Sequence, residues 1–297
     1  MMAIQRAGNE VAWRRVERPQ ITSADQIEIR VERVGICRTD LYAARGLLPC
    51  KEPGILGHEL SGVVVQTGAN IDDMPQGPRV TASPFLPHFR HLNAQMIGVH
   101  RDGAFAEFIV LPRRVVFAVP QDLGFEKAAY VEPVAASLAP LQAPIARDQR
   151  GLIYGEGRIA ELTARVLRCH GFDGVETCPA GANLDQASFD FIVETQATAA
   201  SLSSIIDALK PGGLLVLKSR PNTSVAINTH SIVRREIRLH GVHYGSFEAA
   251  IDLLASGQLA VDDLLGRTTS MADFAPLFEE LWEDESKKRF LAPPGVI

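Results

Sequence analysis

Cysteine is scarce in this chain: four among 297 residues, Cys37, Cys50, Cys169 and Cys178, with no C-x-x-C pair. That scatter excludes a disulfide framework and points to a reducing, cytoplasmic setting. Basic charge is not in excess either. The formal net charge of −5 excludes the electropositive footprint of a nucleic-acid partner and a polybasic membrane patch. No apolar run reaches the ~20 residues a membrane span needs. The opening Met-Met-Ala-Ile-Gln-Arg has no apolar h-region, which predicts no secretory leader. Repeats and low-complexity segments are absent. What remains is ordinary globular material, 46% hydrophobic and 22% charged, in a chain long enough for two domains.

The pattern changes character near residue 125. Before it the chain reads as mostly β. Residues 26–34 alternate apolar and polar, as a half-buried strand does. Residues 60–65, 103–111 and 114–119 read as further strands, punctuated by Gly77-Pro78, Pro112 and Pro120. Residues 84–91 read as an irregular surface connection. After it, residues 125–138 are helix-like with a kink at Pro133. Strands at 152–154, 191–194 and 214–217 then alternate with helices at 159–169, 200–209 and 247–256, which implies a parallel sheet covered on both faces. Residues 273–284 read as one more amphipathic helix.

Three short stretches carry chemistry. Gly57-His58-Glu59 sets an imidazole beside a carboxylate just ahead of a β-branched run. Both are good ligands for a borderline divalent metal such as zinc. Upstream, Gly35-Ile-Cys-Arg-Thr-Asp40 holds a lone cysteine, and downstream Val131-Glu132-Pro133 holds a carboxylate. Each part alone has an ordinary explanation: a lone cysteine is usually a small buried hydrophobe, and an isolated Glu is usually a surface charge. Their combination, in this order, predicts one zinc ion bound by residues distant in sequence. A fourth stretch, Gly155-Glu-Gly-Arg-Ile-Ala160, reads as G-x-G-x-x-A between a strand and a helix. Its glycines permit a tight turn and close approach of a pyrophosphate to the helix N-terminus.

These stretches resemble the zinc-dependent medium-chain dehydrogenase/reductase family, nearest its sorbitol and threonine dehydrogenase branch. The resemblance rests on Val34-Gly-Ile-Cys-Arg-Thr-Asp-Leu41, Gly57-His-Glu-Leu-Ser-Gly-Val63 and Asp102-Gly-Ala-Phe-Ala-Glu107, and on Phe189-Asp-Phe-Ile-Val-Glu-Thr195, Leu209-Lys-Pro-Gly-Gly213 and Gly245-Ser-Phe-Glu-Ala-Ala250. It implies an α/β chain: a GroES-like β-rich catalytic domain over residues 1–125, to which 259–297 return. Residues 126–258 then form a trimmed, Rossmann-type doubly wound parallel-sheet domain. It implies catalytic zinc held by Cys37 and His58, with Glu59 and Glu132 binding or flanking the metal; which of the two is the direct ligand stays open. Thr39 matches the hydroxyl that passes on the substrate proton, and Asp40 orients the zinc site. Arg38 either meets the cofactor pyrophosphate or makes a surface ion pair. Tyr42 stands where relatives often carry a relay histidine, which routes proton release through water.

For the nucleotide, the resemblance implies NAD or NADP, held by Gly155, Gly157, Arg158 and Ala160, with NAD favoured. Arg158 offsets the awkward carboxylate of Glu156. Two departures stand out. An acid ~20 residues on, expected to grip the ribose, has only Glu176 as a candidate, and no Lys or Arg lies between Gly171 and Phe191. The interval from Val175 to Phe191 is also short by about one βα unit, ~30 residues in the usual geometry. The cysteine-free stretch between Pro84 and Asp102 further implies that the structural zinc of many relatives is missing, with His88, His91 and His100 solvated. The implied activity is hydride transfer between a secondary alcohol or polyol, or its ketone, and a nicotinamide, by a cytoplasmic homodimer without nucleic-acid or membrane partners. The alternatives are zinc-dependent elimination, hydration or epimerisation, and a non-catalytic relative.

Overall fold

The computed structural model describes residues 1–296 other than 89, 222 and 223; Phe89, within the 84–91 connection, thus lies outside the described residues. The chain divides into two compact units, residues 1–132 with 251–297, and residues 133–250.

The first unit is built on a seven-stranded sheet whose hub is Gln26–Gly35. That strand pairs antiparallel with Glu59–Thr67, Phe108–Pro112 and Lys288–Ala292. The alternation at 26–34 predicts a half-buried strand, yet the strand is buried almost throughout. Ile27, Ile29, Val31 and Val34 lie in the core. Glu28 and Glu32 are buried as well, which charge permits only with a partner. Arg18 holds Glu28 in a two-pronged contact at 2.7 and 3.0 Å, and Arg30 holds Glu32 at 2.9 Å. The C-terminal segment supplies Leu265–Ser270 and Lys288–Ala292 to the same sheet. A hairpin of Met2–Ala7 and Glu10–Arg15 and the bridge from Gly54–Ile55 make a second, smaller sheet.

The helix-like stretch at 125–138 forms two helices, Phe125–Ala129 and Val131–Leu138. The break falls ahead of Pro133, which sits in the first turn of the second helix, where its missing N–H costs nothing.

The second unit is a five-stranded parallel sheet. Its spatial order is Glu176–Cys178, Gly151–Tyr154, Phe189–Glu194, Leu209–Leu217, Arg238–Gly241. Alternate residues face opposite layers. Ile153, Phe191, Val193 and Val216 meet Ala160, Ala164 and Leu167 of the Arg158–Cys169 helix. Leu152, Tyr154, Ile192 and Leu215 meet Leu202, Ile205 and Ile206 of the Ala199–Ala208 helix. Between Cys178 and Phe189, where a further βα unit would stand, a loop crosses instead. Its Ala180 and Leu184 cover the second face, and Tyr154 Oη accepts the Gly181 N–H at 2.7 Å. Among the described residues no helix is long and apolar enough to cross a membrane.

Two glycines separate conformational from steric need. Gly8 and Gly57 both have positive φ, 61° and 91°. A Cβ at Gly8 meets nothing within 4 Å, whereas one at Gly57 lies 2.7 Å from the Phe105 ring and 2.8 Å from its backbone nitrogen. Chemical denaturation of Gly8→Ala is expected to show a loss of about 1 kcal/mol. Gly57→Ala is expected to lose about 3 kcal/mol or more, because strain and overlap add; equal losses would contradict the steric reading.

Candidate metal centre

The centre begins with a helix start. Cys37 is the N-cap of the Arg38–Ala44 helix and Asp40 its third residue. The Asp40 carboxylate takes the Cys37 N–H through Oδ2 at 2.9 Å, as the acid of a capping box does. Its other oxygen, Oδ1, accepts the Gly57 N–H at 3.0 Å and lies 3.2 Å from His58 Nδ1. One buried carboxylate thus ties the loop that carries Cys37 to the loop that carries His58. With Nδ1 turned toward Asp40, Nε2 is the nitrogen left for a ligand.

The result is a cluster. One ligand atom each from Cys37, His58 and Glu59 lies within 4.8 Å of the others, with His58 and Glu59 buried and Cys37 half-buried. A soft thiolate, an imidazole and a carboxylate are a donor set for zinc. Burial opposes charge on His58, but the Asp40 carboxylate, then Cys37, outweigh it and hold its pKa well above the usual histidine value. A metal would take the place of that proton. Thr39 follows the cluster closely, its Oγ1 3.7 Å from Cys37 Sγ.

Glu59 has a partner that sequence reasoning missed. Lys288, itself 1% exposed, forms a close ion pair with Glu59 Oε2 and donates to the Ile36 carbonyl at 2.7 Å. The space exists because residue 35 is glycine: a Cβ there would lie 2.3 Å from Glu59 Oε2 and 2.6 Å from Lys288 Cε. Nothing in the local pattern around Lys288 marks it, since 229 positions separate it from Glu59 and only sheet register brings it back.

The remaining candidates divide. Glu132 is buried at 4% exposure but is not one of the three clustered ligands. Arg38 pairs with Glu285 at 3.1 Å and donates to the Trp282 carbonyl at 3.1 Å, contacts made within the first unit. Tyr42 meets Trp282 edge-on at 5.7 Å.

In the second unit the glycine turn stands between strand and helix. Gly155 and Gly157 have φ of 133° and 80°, and a Cβ at Gly155 would meet Thr195 Oγ1 at 2.2 Å. Gly157 is the N-cap of the Arg158–Cys169 helix and faces open space, while Ala160 is buried against the sheet. Glu156 is exposed, whereas Arg158 is only 9% exposed. Glu194, fully buried, accepts the Lys218 and Ser219 N–H groups at 2.8 and 2.9 Å and fixes the loop after Leu209–Leu217; burial pushes its carboxyl pKa up. Beyond that loop, His243 lies 2.6 Å from Arg220. Burial, then the charges of Arg220 and Lys218, lower its pKa to about 4.

The profile of the Alcohol dehydrogenase GroES-like domain matches residues 23–121. The chain is 24% identical to a D-xylulose reductase of Morganella morganii, over 95% of this chain and 97% of the other. It is 26% identical to the L-galactonate-5-dehydrogenase of Escherichia coli K12, over 97% and 96%. A crystal structure from Sinorhizobium meliloti 1021, described as a zinc-binding dehydrogenase and solved with NADP, superposes with a TM-score of 0.87 at 26% identity, covering 98% of this chain and 99% of that one.

Two outcomes follow. Cys37→Ala is expected to abolish tight zinc binding in competition with a chelator, and Asp40→Asn to weaken it about 10–100-fold; wild-type affinity in either would contradict the cluster. His243 has a lower pKa folded than unfolded, so the stability it contributes is present above pH ~6.5 and lost as pH falls toward 4. Denaturation across that window is expected to show a slope that His243→Gln reduces.

Proposed function

The chain belongs to the medium-chain dehydrogenase/reductase family, and on that premise we propose that it is a zinc-dependent oxidoreductase. It acts on a secondary alcohol or polyol and the corresponding ketone, with a nicotinamide cofactor. The observation that carries this reading is the convergence of Cys37 with His58 and Glu59, 21 and 22 positions further on, with donors suited to zinc. Bound zinc and nicotinamide supply the Lewis acid and the hydride acceptor of alcohol oxidation. Zinc would be held by Cys37, His58 and Glu59, with Asp40 keeping the His58 ring oriented. Lys288 balances the Glu59 charge. With a thiolate and two carboxylates in one buried neighbourhood, that cation limits the cost of gathering them. Thr39, beside Cys37, is the hydroxyl that would relay the proton of the substrate alcohol to water. Glu132, buried at the start of the Val131–Leu138 helix, is the further carboxylate that would flank the metal. The Gly155–Gly157 turn and the helix after it hold the pyrophosphate.

The alcohol is drawn from the polyol class. Relatives that the chain spans over nearly their full length include a D-xylulose reductase and an L-galactonate-5-dehydrogenase. A cytoplasmic setting agrees with the absence of any disulfide among the described residues. Assembly is a homodimer through the Arg238–Gly241 strand, which ends the five-stranded sheet and leaves Leu239 41% exposed. An exposed strand edge is a ready template for a second copy.

A panel of pentitols, hexitols and aldonates, followed by nicotinamide absorbance, is expected to reveal turnover that a zinc chelator removes and zinc restores. Turnover unaffected by zinc removal, or none on any secondary alcohol with zinc in place, would contradict the reading. Sedimentation is expected to show a dimer, and Leu239→Asp a monomer; a wild-type monomer at micromolar concentration would contradict the assembly.

A further inference from the structure

In a parallel-sheet nucleotide fold, the adenosine sugar is read at the carboxyl end of the strand beside the glycine turn. An acid there takes the 2′-hydroxyl, or an arginine takes a 2′-phosphate. In this chain that strand is Glu176–Cys178, paired with Gly151–Tyr154. Its carboxyl end runs into Pro179, Ala180, Gly181, Ala182, Asn183 and Leu184, with no ionisable side chain.

The carboxylates of this stretch gather at the opposite end. Glu176, the one acid that sequence spacing offered for the ribose, lies 2.7 Å from Arg150 Nε, just ahead of the amino end of Gly151–Tyr154. Asp190 accepts the Arg150 N–H at 2.9 Å and pairs with Lys210 at 2.9 Å. Asp185 adds, after Glu176, to the negative field at the same guanidinium. Asp173 precedes the strand altogether. The parallel sheet thus keeps Glu176 and Asp190 at its amino end, away from where an adenosine sugar lies.

Cations are equally remote. None occurs between Gly171 and Phe191. Arg158 is buried. Lys218 and Arg220 follow Leu209–Leu217, three strands across the sheet from Glu176–Cys178, which is about 14 Å at ordinary strand spacing. At the end of that strand a 2′-phosphate would meet no ionisable side chain and a 2′-hydroxyl no charged acceptor; the exposed Glu156 belongs to the glycine turn, at the pyrophosphate common to both nucleotides.

We infer that this nucleotide site does not read the adenosine 2′ position, so that NADH and NADPH bind with like affinity, Pro179 standing where a discriminating charge would act. The inference rests on the oxidoreductase reading above, and it displaces the NAD preference implied by resemblance alone.

Fluorescence titration of the full-length, zinc-loaded protein with NADH and with NADPH tests it without recourse to turnover. The two dissociation constants are expected to agree within about threefold, since a charged contact to the 2′ group would change their ratio by tenfold or more. Pro179→Asp is expected to shift the ratio about tenfold toward NADH, and Pro179→Arg about tenfold toward NADPH. Pro179 is exposed, so both variants should fold; if one does not, the wild-type ratio decides. A wild-type preference of about tenfold either way, or folded variants that both leave the ratio unchanged, would overturn this inference alone. Failure of both nucleotides to bind, with zinc retained, would overturn the oxidoreductase reading and this inference together.

Discussion

The centre depends on one carboxylate. Asp40 spends its two oxygens on the Cys37 N–H, the Gly57 N–H and the edge of the His58 ring. The first contact starts a short helix, the second fixes a glycine at positive φ, and the third occupies Nδ1 of the imidazole and leaves Nε2 for a ligand. A thiolate and an imidazole 21 positions apart otherwise have no reason to meet. Because the carboxylate is wholly buried, its charge acts in a medium that screens it weakly, which strengthens each of these contacts.

Around that anchor the chain manages charge by register rather than by sequence proximity. Gly35, Glu59 and Phe290 sit across from one another on neighbouring strands. The missing Cβ at Gly35 leaves room for Glu59 and Lys288 to pair. The C-terminal segment therefore does more than complete a sheet: it delivers the buried Lys288 that compensates a carboxylate of the candidate cluster. Removing one member of such a buried pair is costly, because the other is left as an uncompensated charge.

Much of this was legible in advance, for identifiable reasons. The change from two-residue to helical periodicity near 125 reports which faces are buried, and it marked the parallel sheet and most of its helices. The short interval between Val175 and Phe191 reports a missing βα unit, and the sheet has five strands with a loop in its place. Gly155 and Gly157 have the positive φ that their motif requires. Other features left no local trace. Lys288 reaches Glu59 only through strand pairing. The Arg38–Ala44 helix hides because a cysteine stands where a capping box usually shows serine or threonine, although the Asp three positions on was a usable signal. Glu176 has the right distance in sequence for a ribose acid but sits at the wrong end of its strand, which spacing alone cannot tell. Glu28 and Glu32 read as solvent-facing because alternation says nothing of the arginines that let them be buried.

X-ray absorption at the zinc edge, on protein purified without added chelator, tests the central claim most directly. The account predicts one zinc per chain with a single sulfur neighbour at about 2.3 Å and the rest nitrogen or oxygen, and loss of that sulfur in Cys37→Ser. Zinc coordinated without sulfur in the wild type, or a sulfur signal that survives the substitution, would contradict it.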